Sequence, residues 1–153
     1  MGVEKEDPAA LAAELALAVT RLRARIRTEV AAKTGHWAGR WTWAQMATLT
    51  RIIDNGPITA SELAKAENMR QQSMSELLAN LREDGLIRSE KDPADGRKSL
   101  LEATSEGRAV AARLTATRKD WLESALREDA TAAERKTVQA AVQIINRLVD
   151  SRK

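Results

Sequence analysis

The sequence predicts a mainly α-helical fold with a small β wing, and three observations carry that prediction. From Thr59 to Thr104 the chain reads as short helix, turn, longer helix, and then two short strands around a charged turn. Seven glycines and three prolines in 153 residues leave little chain for long irregular segments. On either side of this region lie long stretches rich in Ala, Leu, Arg and Glu, all good helix formers, with apolar residues at helical spacing. The order within 59–104 is that of a winged helix-turn-helix.

The elements follow in order. Pro8 suits a first helical turn. Leu11, Leu15, Val19, Leu22, Ile26 and Val30 then form one apolar stripe, so a helix is predicted over 8–34. That stripe is longer than one small core covers, which implies packing against a partner. Arg21, Arg23, Arg25 and Arg27 spread around the helix and read as a solvated surface. Gly35 and Gly39 break the pattern. Thr42 with Gln45 makes a capping box for a second helix, with Trp43, Met46, Ala47, Leu49, Ile52 and Ile53 on its inner face. Asn55-Gly56-Pro57 ends it.

Thr59 with Glu62 makes a second capping box and opens a short helix to about Ala66. Asn68-Met69 is a turn. The next helix runs from Arg70 to about Asp84, burying Met74, Leu77, Leu78 and Leu81, and Gly85 stops it. Strands are predicted over Leu86–Lys91 and Lys98–Ala103, joined by a hairpin whose tightness is attributed to Pro93 and Gly96. A long helix from Ser105 to about Leu126 turns Val110, Leu114, Trp121, Leu122 and Leu126 inward. Thr131 with Glu134 caps a last helix, with Val138, Val142, Ile145 and Leu148 or Val149 as its stripe. Taken as one domain, 1–153 divides into a reading region at 42–104 and flanking helices at 8–34 and 105–150.

Composition excludes several classes of function. With no cysteine there are no disulfides and no thiolate metal sites, and the single histidine, His36, leaves no basis for a zinc site or a Ser-His-Asp triad. No catalytic residue, metal site or cofactor is predicted, since no nucleophile, base and orienting group occur together. No apolar run approaches the roughly 18 residues of a membrane span. The charged N-terminus lacks a signal-peptide core, so a cytoplasmic protein with no membrane partner is expected. The net charge of +3 favours a polyanion only weakly, and residues 56–104 hold seven Lys and Arg against nine Asp and Glu, a balance of −2. Any affinity for DNA must therefore come from where a few basic residues point.

The helix after the turn carries Gln72, Ser75, Glu76 and Ala79 opposite its apolar stripe, with Ser73 and Asn80 at the flank. These side chains are short or bear amides, which suits close approach to base edges.

Leu81-Arg82-Glu83-Asp84-Gly85-Leu86-Ile87-Arg88, with Asp92-Pro93-Ala94-Asp95-Gly96-Arg97-Lys98 after it, resembles the wing signature of the multiple-antibiotic-resistance regulator (MarR) family. Met69-Arg70-Gln71-Gln72-Ser73-Met74-Ser75 is similar to the start of that family's recognition helix, and the helix order matches over nearly the whole chain. The resemblance implies a homodimeric DNA-binding regulator, commonly a repressor, with flanking helices that make the dimer. Its recognition helices would enter successive major grooves of double-stranded DNA over a pseudo-palindrome, with the wings in the minor groove. It further implies release by a small aromatic or phenolic ligand.

By the same resemblance Arg97 is the wing-tip residue, oriented by Asp95. A guanidinium is drawn to the negative potential of a narrow minor groove, and a nearby carboxylate can hold it by a two-point pair. Arg70 and Lys98 are expected on phosphates, and Gln71, Gln72, Ser73 and Ser75 on the reading face. Arg88 either contacts DNA or pairs within the wing. Glu76 departs from the family pattern: it either repels phosphate or accepts from a cytosine amino group. Ala103-Thr104 stands where the family usually has Leu-Thr.

Trp37, Trp41 and Trp43, with Arg40 between them, read in two ways. They form a pocket for an aromatic carboxylate, or they fill the junction between the first helix and the reading region. His36 reads as a surface or capping residue. The rival to a DNA-binding regulator is a winged-helix module that binds protein, a reading kept open by the acidic balance of 56–104.

Overall fold

The computed structural model describes residues 7–35 and 40–151. Its elements run α1 (Pro8–Thr34), α2 (Trp43–Asn55), β1 (Ile58–Thr59), α3 (Ala60–Ala66), α4 (Gln71–Glu83), β2 (Ile87–Lys91), β3 (Ser99–Ala103), α5 (Ser105–Glu128) and α6 (Ala132–Asp150). The fold is a winged helix-turn-helix set among long helices, as the sequence predicts. His36, Trp37 and Gly39, all singled out in the sequence, lie outside the described residues. The chain forms two compact units, Met1–Ala116 and Thr117–Lys153.

In the first unit the local start and stop signals around α2, α3 and α4 are in place. Thr42 and Gln45 exchange backbone and side-chain bonds at the start of α2, and Thr59 and Glu62 do the same for α3. In the turn between α3 and α4, Asn68 sits at φ 50° while the Met69 N–H reaches back to the Ala64 carbonyl (2.8 Å). α4 ends on Gly85 at φ +71°, with the Leu86 N–H on the Leu81 carbonyl and the Gly85 N–H on the Arg82 carbonyl, both at 2.9 Å. That pairing is a Schellman stop, and it needs a residue without Cβ strain at Gly85.

The core of this unit is Leu49 and Ile52 from α2, Leu63 from α3, Met74 and Leu81 from α4, Leu86, and Val110 from α5. α4 buries Met74, Leu78 and Leu81, with Leu77 half-buried at the margin. Within α2 the inward side differs from the sequence prediction. Gln45, Met46, Thr48, Leu49 and Ile52 are buried, whereas Trp43 and Ala47 are exposed and Ile53 is half-buried. Gln45 turns inward because its amide oxygen is consumed as the capping acceptor for the Thr42 N–H (2.7 Å). Trp43, at the first helical position, instead lies under the Arg23 guanidinium, 4.9 Å from the ring centroid. Arg23 and Arg25, which pairs with Glu29 at 2.6 Å, are thus more than a bare solvated surface.

The sheet has the order β1-β3-β2, all antiparallel. β1 was not legible in the sequence: two residues carry no alternation, and Thr59 is also the cap of α3. The predicted hairpin is present, with Ile87 opposite Ala103 and Lys91 opposite Ser99. Its loop is closed by aspartates: Asp92 accepts from the Ala94 N–H (2.8 Å) and Asp95 from the Arg97 N–H (3.2 Å).

α5 begins against the end of α4. The Thr104 N–H bonds the Leu86 carbonyl (3.0 Å), and the Thr104 hydroxyl donates to the Gly85 carbonyl (2.7 Å) and accepts from the Gly107 N–H (3.0 Å). A Cβ at Gly107 would stand 2.1 Å from the Leu86 carbonyl oxygen. Ala103, which stands where the family usually has Leu, is buried. On α1 only Ile26 and Val30 are buried, and Leu11, Leu15, Val19 and Leu22 are exposed.

In the second unit Trp121, Leu122 and Leu126 are half-buried rather than fully inward. Thr131 and Glu134 form the predicted capping box of α6, and Arg135 donates to the Ala130 carbonyl in the turn before it. Val138, Val142, Ile145, Leu148 and Val149 are exposed. The carboxyls of Glu62 and Glu134 are held below their usual range, first by the backbone N–H of Thr59 and Thr131 and then by the Thr hydroxyls. A lowered folded pKa means that each box contributes above the unfolded carboxyl pKa and loses that contribution as pH falls through the folded one.

Gly107→Ala is expected to cost about 1–3 kcal/mol or more, because the new methyl meets backbone rather than a movable side chain. Urea denaturation followed by circular dichroism reads this directly; an unchanged midpoint would contradict the close approach.

Candidate nucleic-acid interface

α3 and α4 present their polar side together. Arg70 is the N-cap of α4 but makes no side-chain capping bond, and its side chain is exposed. Gln71, Gln72, Ser73, Ser75 and Glu76 are all exposed along α4, and Ala79 is half-buried. The Gln71 amide donates to the Ser61 hydroxyl (3.1 Å), tying α4 to α3, and the Ser75 hydroxyl donates back to the Gln71 carbonyl (2.9 Å). The first turn of α4 holds no acidic residue, so its amide end keeps the positive pole of the helix.

The wing extends this surface. The Arg97 side chain is 98% exposed, and its contact with Asp95 is a single one of 3.8 Å. That is looser than the two-point pair expected. Asp95 spends its oxygen on the Arg97 N–H as well, so it fixes the backbone of the turn more firmly than the guanidinium. Lys98 is exposed, and its charge helps to lower the Glu62 pKa after the Thr59 hydrogen bonds. Arg88 pairs across the hairpin with Glu102 (2.7 Å) and lies 3.5 Å from Glu90. The hydrogen bond to Glu102, reinforced by the Glu90 charge, raises its pKa, so the structure takes the within-wing alternative for Arg88 in the unbound protein.

Of the tryptophan segment, Trp41 and Trp43 lie among the described residues, and their contacts favour the junction reading: Trp43 meets Arg23 of α1, and Trp41 meets the end of α4. Trp41 is buried and donates its indole N–H to Asp84 (2.6 Å), and Arg40 pairs with the other oxygen of the same carboxylate. Asp84 is the C-cap of α4, where the negative pole of the helix disfavours a carboxylate. Two donors, one of them cationic, offset that cost and fasten the end of α4 to the segment before α2. No pattern within 36–43 announces this, because the acceptor lies 43 residues downstream of Trp41.

A groove of about 520 Å³ lies elsewhere, between α2 and α5, lined by Thr50, Ile53, Arg108, Ala111 and Thr115 among others. None of Arg40, Trp41 and Trp43 lines it. Among the described residues no group of three or more His, Cys, Asp or Glu could hold a metal ion, and no helix is long and apolar enough to cross a membrane.

A helix-turn-helix with an exposed polar reading face and a basic wing tip defines a DNA-binding fold of the transcription-regulator class. The MarR family model matches residues 41–99. A Pseudomonas aeruginosa PA01 protein assigned as a transcriptional regulator is 33% identical, with a TM-score of 0.77 over 95% of this chain and 97% of that one. An uncharacterized HTH-type transcriptional regulator of Mycobacterium bovis is 28% identical over 145 residues, 95% of this chain and 96% of that protein. A mutant MepR of S. aureus, bound to an oligodeoxyribonucleotide, shares the fold at 18% identity, with a TM-score of 0.63 over 91% of this chain and 97% of that one. The chain belongs to the MarR family of transcriptional regulators.

Asp84→Ala removes the acceptor of both Trp41 and Arg40 and is expected to cost about 1–3 kcal/mol. Asp84→Asn, which keeps an acceptor for the indole, should lose less in the same urea titration. Identical midpoints for all three proteins would show that the clamp contributes nothing.

Proposed function

We propose that the protein is a cytoplasmic, homodimeric repressor that binds a pseudo-palindromic operator. α4 of each protomer enters a major groove, and the wings reach the flanking minor grooves. The observation that carries this reading is the pairing of a short polar face on α4 with an almost fully exposed Arg97 at the wing tip. Arg70 and Lys98, exposed at the start of α4 and beside Arg97, supply phosphate contacts. The dimer is supported by two apolar stripes without cover: Leu11, Leu15, Val19 and Leu22 on α1, and Val138, Val142, Ile145, Leu148 and Val149 on α6. In this reading 8–34 and 105–150 are the dimerisation helices and 42–104 is the reading region.

A small aromatic or phenolic acid releases the DNA in this reading. Trp43, half-exposed under Arg23, remains a wall for such a ligand. At Arg40 and Trp41 an incoming carboxylate must displace Asp84, whereas the α2–α5 groove has Arg108 among mostly apolar lining residues. The second reading, a protein-binding winged helix, is favoured only by the −2 balance of residues 56–104, nine acidic against seven basic.

Arg97→Ala should weaken operator binding about tenfold while light scattering still gives twice the chain mass of 16.8 kDa. Binding of the wild type should fall steeply with salt. Undetectable or salt-insensitive binding would favour the protein-binding reading, and a monomeric wild type would remove the two half-sites.

A further inference from the structure

The polar groups on the outward face of α4 divide into those already engaged and those still open. Gln71 and Ser75 are held by Ser61 and by the Gln71 carbonyl. The side chains of Gln72, Ser73 and Glu76 are exposed and hydrogen-bond or ion-pair with no described residue. Glu76 is the charged member of that open set. Its helical neighbours at three and four residues are Gln72, Ser73, Ala79 and Asn80, so it has no counter-ion on its own helix.

A carboxylate can only accept hydrogen bonds. In the major groove guanine presents two acceptors and thymine an acceptor with a methyl group, and both repel it. Adenine offers one amino donor, but with the N7 acceptor beside it. Cytosine presents its N4 amino group alone. The same charge faces phosphates in any sequence and weakens binding to all of them.

We propose that Glu76 is a specificity-determining residue that accepts from the N4 amino group of a cytosine in each half-site and lowers affinity for every other duplex. The inference rests on α4 entering the major groove, as proposed above. It also gives the acidic balance of the reading region a use: selectivity gained by suppressing non-specific binding.

The test is selection from random duplex DNA with the full-length wild type, Glu76→Gln and Glu76→Ala, together with titration of each protein on an unrelated duplex at one salt concentration. The wild type should enrich cytosine at one position per half-site. Glu76→Ala should lose that preference by about tenfold, within the range one good base contact provides. Glu76→Gln should move it toward adenine, which pairs with an amide at N6 and N7. Preferences elsewhere should be unchanged, and both variants should bind the unrelated duplex several-fold more tightly. A cytosine preference that survives in Glu76→Ala overturns the inference alone. A wild type that enriches no sequence overturns the proposed function and the inference with it.

Discussion

Where α4 stops, the carbonyl of Leu86 carries the placement of three elements. It follows the left-handed Gly85, it accepts the Thr104 N–H at the end of β3, and Gly107 on α5 packs too closely against it for any side chain. The Thr104 hydroxyl bridges Gly85 and Gly107 across the same point. α4, the wing and the start of α5 therefore meet through backbone, which cannot yield as a side chain can. This junction sets the angle between α4 and the wing, which the proposed reading of DNA requires to be fixed.

α4 is held by polar bonds at its two ends. Gln71 fastens its start to α3 through Ser61, and Asp84 fastens its finish to Arg40 and Trp41. Its buried side is Met74, Leu78 and Leu81. Most of the polarity on its remaining surface is thus free for a partner. The charge balance of residues 56–104 is acidic, nine Asp and Glu against seven Lys and Arg. Most of its acidic groups have structural work: Glu62 caps α3, Glu102 holds Arg88, and Asp92 and Asp95 shape the wing loop. Glu76 has none among the described residues.

Much of this fold was legible because its signals are local. Each capping box needs two residues three apart, and Thr42, Thr59 and Thr131 all form theirs. Gly85 stops α4 as read, and the paired strands fall within a residue of their expected limits. What escaped the sequence depends on distant partners. Asp84 meets Arg40 across 44 positions, and Gly107 owes its identity to the Leu86 carbonyl. Trp43 misled because apolar spacing alone cannot place a residue at the first turn of a helix, where Arg23 of another helix provides its cover. The candidate site divides in the same way. The exposed face of α4 and Arg97 followed from helical phase and the wing motif, whereas the pairing of Arg88 with Glu102 was one of two open alternatives until β2 and β3 were in register.

In the proposed function two copies of the α4 face act together on one duplex. Selection of bound fragments from random DNA, carried out at two salt concentrations, tests it most directly. The expected result is an enriched inverted repeat whose half-site centres lie about 10–10.5 base pairs apart, or a multiple of that spacing, with recovery falling steeply at the higher salt. Recovery of a single unrepeated motif, or of no motif at either salt concentration, would contradict it.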